Sequence, residues 1–329
     1  MKSETLRAPS WGELSKTVVY SPYALGHFRL REFLSVALFI AAMLAVFGAS
    51  VACLAGHPAA DMAPAGLAAA IHGAALAGLA CIAWGVLVEP YQLALRRVVV
   101  ESPRIRRPLR ALHLSDLHVR EWSRVEEGIL AGAKELLPNV IFLTGDYLAT
   151  PGSIEALERL LKGLARLAPV YASLGNGELL DPVHRQLHIP GLTWLTTDCR
   201  ALVVDGTPLR VYGIRPGDER NFWQAGRGTR PGEFAVCLYH FPDFAPELAR
   251  IPYDLMLCGH THGGQIRLPW LGALVSLTRA GTAYARGVFR SGAKTAVVTQ
   301  GVGCEAYGLP RMRFLCPPEL VVLELRPAP

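Results

Sequence analysis

Five short apolar runs in the C-terminal two-thirds of this sequence each stop on a side chain that can bind a metal. ALHLS is followed by Asp116 and His118, NVIFLTG by Asp146 and VYASLG by Asn176. FAVCLY is followed by His240, and YDLMLCG by His260 and His262. Runs of this length and composition read as buried strands. In α/β architectures, functional groups collect outside the carboxyl ends of strands. Five strands would therefore bring these side chains to one rim. In an extended segment residues i and i+2 point the same way. Asp116 with His118, and His260 with His262, can each reach one site as a pair.

The remaining patterning supports an α/β domain from Leu109 onward. Arg124 to Leu137 has helical periodicity. Ser153 to Leu167 is amphipathic, with Ile154, Leu157, Leu160, Leu161 and Leu164 on one face. Thr193 to Ile214 reads as paired strands with a turn at Asp205-Gly206. Thr295 to Val298 and Leu320 to Leu325 add two more strands. Elements alternate first, then strands dominate, which predicts sheets packed on each other with helices outside. Thr193 to Arg230 reads as an insertion that either shapes a substrate entrance or covers the sheet.

The first third is different. Phe33 to Ala55 and Gly66 to Val88 carry no charge. Each is long enough to cross a hydrocarbon core, which needs ~20 helical residues. The expectation is a two-helix transmembrane hairpin; the alternative is one span plus a buried or interfacial helix. Arg29 and Arg31 precede the first run, and Arg96, Arg97, Arg104, Arg106, Arg107 and Arg110 follow the second. The connector His57 to Ala65 has no Lys or Arg. The positive-inside rule then places both flanks in the cytoplasm, at an inner (cytoplasmic) membrane. A cleaved signal peptide fits poorly, because the first run starts late and is too long. The division is 1–32 cytoplasmic segment, 33–88 hairpin, 89–108 basic linker and 109–329 globular domain. The 7 cysteines lack CxxC spacing, which suits a reducing compartment. The net charge of +6 is modest and no aromatic-interleaved basic patch is present, so no nucleic-acid partner is expected.

Two carboxylates, one amide and four imidazoles make a mixed N and O donor set. Such a set suits Mn, Fe, Zn or Co rather than Ca. Seven donors are too many for one open catalytic metal. They suffice for two divalent metal ions sharing a carboxylate, the arrangement that activates a water and clamps a phosphoryl transfer at ~3.5–4 Å separation.

These motifs resemble the calcineurin-like metallophosphoesterases. The family pattern is D-x-H, GD, GNH followed by D or E, a lone H, then GHxH. The matches are Asp116-Leu117-His118, Gly145-Asp146, Gly175-Asn176, His240 and Gly259-His260-Thr261-His262, within about residues 108–327. The resemblance implies a four-layer α/β/β/α sandwich. It implies one metal on Asp116, His118 and His262, a second on Asn176, His240 and His260, and Asp146 as the bridge, with manganese the expected metal. Asp146, Asn176 and His240 are thereby expected to be catalytic.

One position departs from the pattern. Where the family has a histidine after the asparagine, this chain has Gly177 and then Glu178. Glu178, with a raised pKa, or His184 or His188 could replace the missing acid. The chain could be a non-catalytic metal-binding membrane scaffold. Or the leaving group needs little acid help, as when a phosphate departs from a pyrophosphate. The last reading, joined to the hairpin, suggests a lipid-linked phosphate substrate. The resemblance to the membrane-associated branch implies hydrolysis of UDP-2,3-diacylglucosamine to UMP and 2,3-diacylglucosamine 1-phosphate in lipid A synthesis. The alternative is a general phosphodiesterase or phosphatase on another lipid or nucleotide. Arg267 is a candidate substrate-phosphate contact, and Asp243 either orients His240 or caps the next helix. His113 reads as a hydrogen-bonded core histidine.

Overall fold

The computed structural model describes residues 30–55, 65–149, 152–305 and 311–329. Two long helices come first, α1 (Leu30–Leu54) and α2 (Ala65–Leu87). Both are long and apolar enough to cross a membrane by length and composition, and little of either is buried. Ser50 and His72 hydrogen-bond across the pair at 2.8 Å. The expected connector up to residue 64, and residues 1–29, lie outside the described residues.

The stretch expected to be a basic linker is not a linker throughout. It contains β1 (Ala94–Ser102), which pairs in parallel with the last strand of the chain. Burial alternates along its second half: Val98, Val100 and Ser102 are buried while Arg97 and Glu101 are exposed. The charge run masked a period-two strand.

The globular part follows in chain order as β2 (Leu109–Leu114), α3 (Arg124–Leu136), β3 (Val140–Thr144), α4 (Ile154–Leu167), β4 (Val170–Ser173), α5 (Gly177–Leu180), β5 (Leu192–Leu195), β6 (Asp198–Val204), β7 (Thr207–Ile214), α6 (Glu219–Ala225), β8 (Phe234–Tyr239), β9 (Leu255–Cys258), β10 (Arg267–Leu268), β11 (Gly272–Ala273), β12 (Gly287–Ser291), β13 (Lys294–Val298) and β14 (Glu319–Pro327). Two six-stranded mixed sheets form, ordered β1-β14-β2-β3-β4-β5 and β12-β13-β9-β8-β7-β6. Strand alternation assigns the layers. In β8, Phe234, Val236 and Leu238 pack between the sheets, whereas Ala235, Cys237 and Tyr239 face outward. In β3, Val140 and Phe142 face the other sheet, while Ile141 and Leu143 face α3 and α4. Leu157, Leu160, Leu161 and Leu164 form the buried stripe of α4. Ser123 and Glu126 close a capping box that starts α3. The result is the α/β sandwich expected from the patterning.

Thr193 to Arg230 is not an insertion. β5 extends the first sheet, and β6 and β7 edge the second. The β6–β7 turn places Asp205 (φ 46°) and Gly206 (φ 76°) in the left-handed region, as a two-residue hairpin turn demands.

Both apolar helices are latched to the sandwich. Glu32, buried in the first turn of α1, accepts a hydrogen bond from Ser276 Oγ at 2.9 Å. At the end of α2, the Gly85 carbonyl accepts from Arg313 N at 2.9 Å. The Glu89 carboxylate accepts from Trp84 Nε1 (3.1 Å), Leu315 N (3.0 Å) and Cys316 N.

Candidate metal centre

The predicted ligands sit just beyond β2, β3, β4, β8 and β9, and the structure brings them together. Asp116, His118 and His262 place ligand atoms within 4.8 Å of one another; Asp146, His240 and His260 do the same. Asp146 lies between the groups. Its Oδ2 is 3.3 Å from His240 Nε2 and 3.8 Å from His118 Nε2. Asn176 Oδ1 stands 3.1 Å from His240 Nε2.

The glycine preceding several ligands has a steric cause. A Cβ on Gly175 would lie 2.2 Å from Asp146 Oδ1, and one on Gly259 2.2 Å from Asp116 Oδ2. The backbone must pass against a neighbouring ligand, so only glycine fits. The ligands themselves are strained. Asp116, His118, Asp146, His260 and His262 have φ between 40° and 68°. A non-glycine residue there costs roughly 1–3 kcal/mol and persists only where surroundings impose it.

Hydrogen bonds fix ring orientation in one group. His240 Nδ1 donates to the Thr144 carbonyl at 2.6 Å, turning Nε2 toward Asp146 and Asn176. His260 Nε2 donates to the Leu277 carbonyl at 3.0 Å, leaving Nδ1 for a cation. Asp116 accepts His260 N with both oxygens at 3.0 Å. Among the described residues, His118 Nε2 and both ring nitrogens of His262 are buried without a hydrogen-bond partner. Buried polar atoms are rarely left so. A divalent cation would satisfy one nitrogen of each, so the residues fit two metals.

Burial lowers His118 to about 4 and His260 to about 3, and pushes His262 well down. These imidazoles are neutral, as metal ligands must be. Burial also opposes charge on His240, but Asp146, Asp116 and the Thr144 carbonyl outweigh it and push the ring up to about 10. Loading a cation beside His240 therefore displaces a proton. Burial would raise Asp146, yet His240, His118 and the Gly177 N–H hold it well below the usual carboxylate range. Burial raises Asp116 to about 6.

Glu178 does not face the ligand atoms as a free acid. Its Oε2 accepts from Asp146 N (2.9 Å) and Gly175 N (2.7 Å), and its Oε1 from Tyr147 N (2.9 Å). It clamps the loops that carry Asp146 and Asn176. Burial and nearby Asp146 raise it to about 7 against those three donors. His184 packs against Trp194 with ring centroids 6.1 Å apart, and His188 is exposed. Neither joins the two groups. Gly177 N donates to Asp146 Oδ1 at 2.8 Å.

Asp243 neither orients His240 nor caps a helix through its side chain. Its carboxylate binds Thr278 Oγ1 and Arg279 N, beside the Leu277 carbonyl that holds His260. Arg267 lies on β10, its Nη1 donating to the Gly263 carbonyl at 2.8 Å. His113 is fully buried on Thr144 Oγ1 at 2.9 Å, as a core histidine. Sequence reasoning missed Arg313, fully buried and donating to the carbonyls of Gln300, Gly303 and Cys316. It holds the loop whose Gly303 N–H donates to the Asp116 carbonyl at 2.6 Å. No local pattern announces a cation satisfied by backbone carbonyls rather than by an acidic side chain.

The calcineurin-like phosphoesterase family model matches residues 109–264. Among characterised and uncharacterised relatives, phosphodiesterase YaeI of Escherichia coli is 34% identical over 236 residues, covering 66% of this chain and 82% of that protein. The metallophosphoesterase YkuE of Bacillus subtilis is 27% identical, covering 65% and 78%. UDP-2,3-diacylglucosamine pyrophosphatase LpxG of Chlamydia muridarum is 24% identical, covering 73% and 91%. With its paired Asp and His groups, this chain belongs to the calcineurin-like metallophosphoesterase family and is a metal-dependent hydrolase.

Proposed function

We propose that this hydrolase uses two divalent ions, manganese in first place, to cleave the pyrophosphate of a membrane-held substrate, UDP-2,3-diacylglucosamine, releasing UMP. Asp116, His118 and His262 would hold one ion, and Asn176, His240 and His260 the other, with Asp146 shared. When bound, such ions supply Lewis acidity and lower the pKa of a water. The protein's part is placement. Asp146 keeps its carboxylate between the groups, steadied by Gly177 N and by Glu178 beneath its loop. Asn176 and His240 stand together on the second side.

The observation carrying the pyrophosphate reading is Gly177. Its missing side chain would start 3.1 Å from Asp146 Oδ1, and the neighbouring Glu178 is turned onto backbone N–H groups instead. A leaving phosphate depends far less on protonation than an alkoxide. The likeness to LpxG supports the same substrate class. The two apolar helices, latched to the loops around the ligands, support a membrane-bound enzyme whose domain lies on the cytoplasmic face. The 34% identity to a phosphodiesterase favours a second reading, a phosphodiesterase of other lipid or nucleotide diesters.

The deciding assay is Mn²⁺-dependent release of UMP from UDP-2,3-diacylglucosamine by the full-length protein in detergent, with Asp146→Ala as control. Release by wild type alone supports the reading. Hydrolysis of bis(p-nitrophenyl) phosphate without UMP release replaces it with the second.

A further inference from the structure

The β10–β11 hairpin ends in Pro269-Trp270-Leu271, a tip the active-site reading does not use. Trp270 is 103% exposed and Leu271 74%. Contiguous exposed apolar surface, when large enough, marks a protein or membrane contact, and here two large side chains stand side by side. The tip is also built with strain: Trp270 has φ 62°, and Leu271 N donates back to the Pro269 carbonyl at 2.7 Å. A bulky residue in the left-handed region is uncommon and costs roughly 1–3 kcal/mol.

The base of the hairpin is tied to both apolar helices. On the β10 side, Arg267 N donates to the Phe314 carbonyl at 2.9 Å, and the adjacent Arg313 N donates to Gly85 of α2. On the β11 side, Ser276 donates to Glu32 of α1. The same segment supports the ligands, since the Leu277 carbonyl holds His260. The hairpin therefore lies between the metal ligands and the ends of the two helices. The segment's own charges are basic, Arg267 on β10 and Arg279 and Arg286 after β11, while Glu32 and Asp243 are acids packed against it.

We infer that Trp270 and Leu271 dip into the headgroup–acyl boundary of the lipid surface from which α1 and α2 emerge. This rests on the membrane reading proposed above. Tryptophan suits that boundary, with an apolar ring and one polar N–H. Basic residues behind it match anionic headgroups. The hairpin then seats the metal ligands at the lipid surface, where a phosphoester carried on a lipid headgroup is presented without leaving the bilayer.

The test uses the full-length protein in phosphatidylethanolamine–phosphatidylglycerol vesicles whose acyl chains are brominated near the headgroup end. Trp84, in α2, is the internal control. The expected result is a quenchable tryptophan emission that falls in Trp270→Phe and, separately, in Trp84→Phe. A fall in Trp84→Phe with none in Trp270→Phe overturns the hairpin inference and leaves the helices in the membrane. No quenching at all overturns the membrane reading, and the inference with it. A second measurement separates seating from folding. Trp270→Ser with Leu271→Ser should raise KM for a vesicle-borne diester about tenfold. It should leave hydrolysis of soluble bis(p-nitrophenyl) phosphate unchanged. Equal loss on both substrates, or on neither, overturns the assignment.

Discussion

The two ligand groups differ in how far the protein sets their geometry in advance. Around Asp146, His240 and His260, each imidazole donates one nitrogen to a backbone carbonyl, Thr144 or Leu277. Asp146 is fixed by Gly177 N, and its loop by Glu178. Around Asp116, His118 and His262, only the carboxylate is comparably held, by His260 N. His118 Nε2 and both nitrogens of His262 have no hydrogen-bond partner among the described residues. A ligand whose orientation is already fixed gives up less entropy on binding. The His240 side is thus preorganised, and the His262 side depends more on its cation for order.

Asp146 stands between the two groups, 3.3 Å from His240 Nε2 and 3.8 Å from His118 Nε2, and as the proposed shared ligand its loss should be the largest effect. Asp146→Ala is expected to lower kcat/KM about a thousandfold or more, since ions of this kind contribute several kcal/mol of transition-state stabilisation. Metal content should fall below two equivalents by atomic emission. Near-wild-type turnover in this variant would dissolve the comparison, because the two groups would then act independently.

The difference itself predicts stepwise metal loss. In a chelator titration, one equivalent should leave early and one late, with affinities about 10–100-fold apart. His262→Ala should retain the late equivalent, whereas His240→Ala should weaken it. Simultaneous loss of both ions in wild type would show that preorganisation does not discriminate between the sides.

The sequence made the ligands legible because each follows an apolar run whose strand character is local. Asp116, Asp146, Asn176, His240, His260 and His262 could be picked out without tertiary information. So could the Asp205-Gly206 turn. What could not be read depended on partners remote in sequence. β1 was hidden by its arginines, because its pairing with β14 crosses most of the chain. Glu178 reads locally as a free acid beside the ligands; only folding brings the N–H groups of Asp146 and Tyr147 onto it. Arg313 binds carbonyls rather than a charge, so no complementary residue advertised it.

Glu178→Gln sharpens the preorganised side. The amide replaces one oxygen with a donor facing an N–H, so at least one of three hydrogen bonds fails. A drop in kcat of about tenfold is expected, with weakened retention of the late metal and a lower Tm. A general acid at this position would instead give a kcat loss with unchanged Tm and unchanged metal content. That result would restore Glu178 to the chemistry.

His113 offers the smallest and most indirect test, through Thr144. The Thr144 hydroxyl meets His113 and its carbonyl holds His240, so charge on His113 should disturb the preorganised side first. Burial lowers His113 from 6.5 to about 3. Between those values the unfolded chain binds a proton that the folded protein refuses. Stability from this group is therefore complete above about pH 6.5 and is lost as pH falls toward 3. His113→Gln keeps a hydrogen-bonding side chain against Thr144 and removes the titration. Plotted as Tm against pH in metal-free protein, the variant should fall less steeply than wild type across that window, although it starts from a slightly lower Tm at neutral pH. Parallel curves would mean that the acid sensitivity arises elsewhere, and that Thr144 transmits nothing from the core to His240.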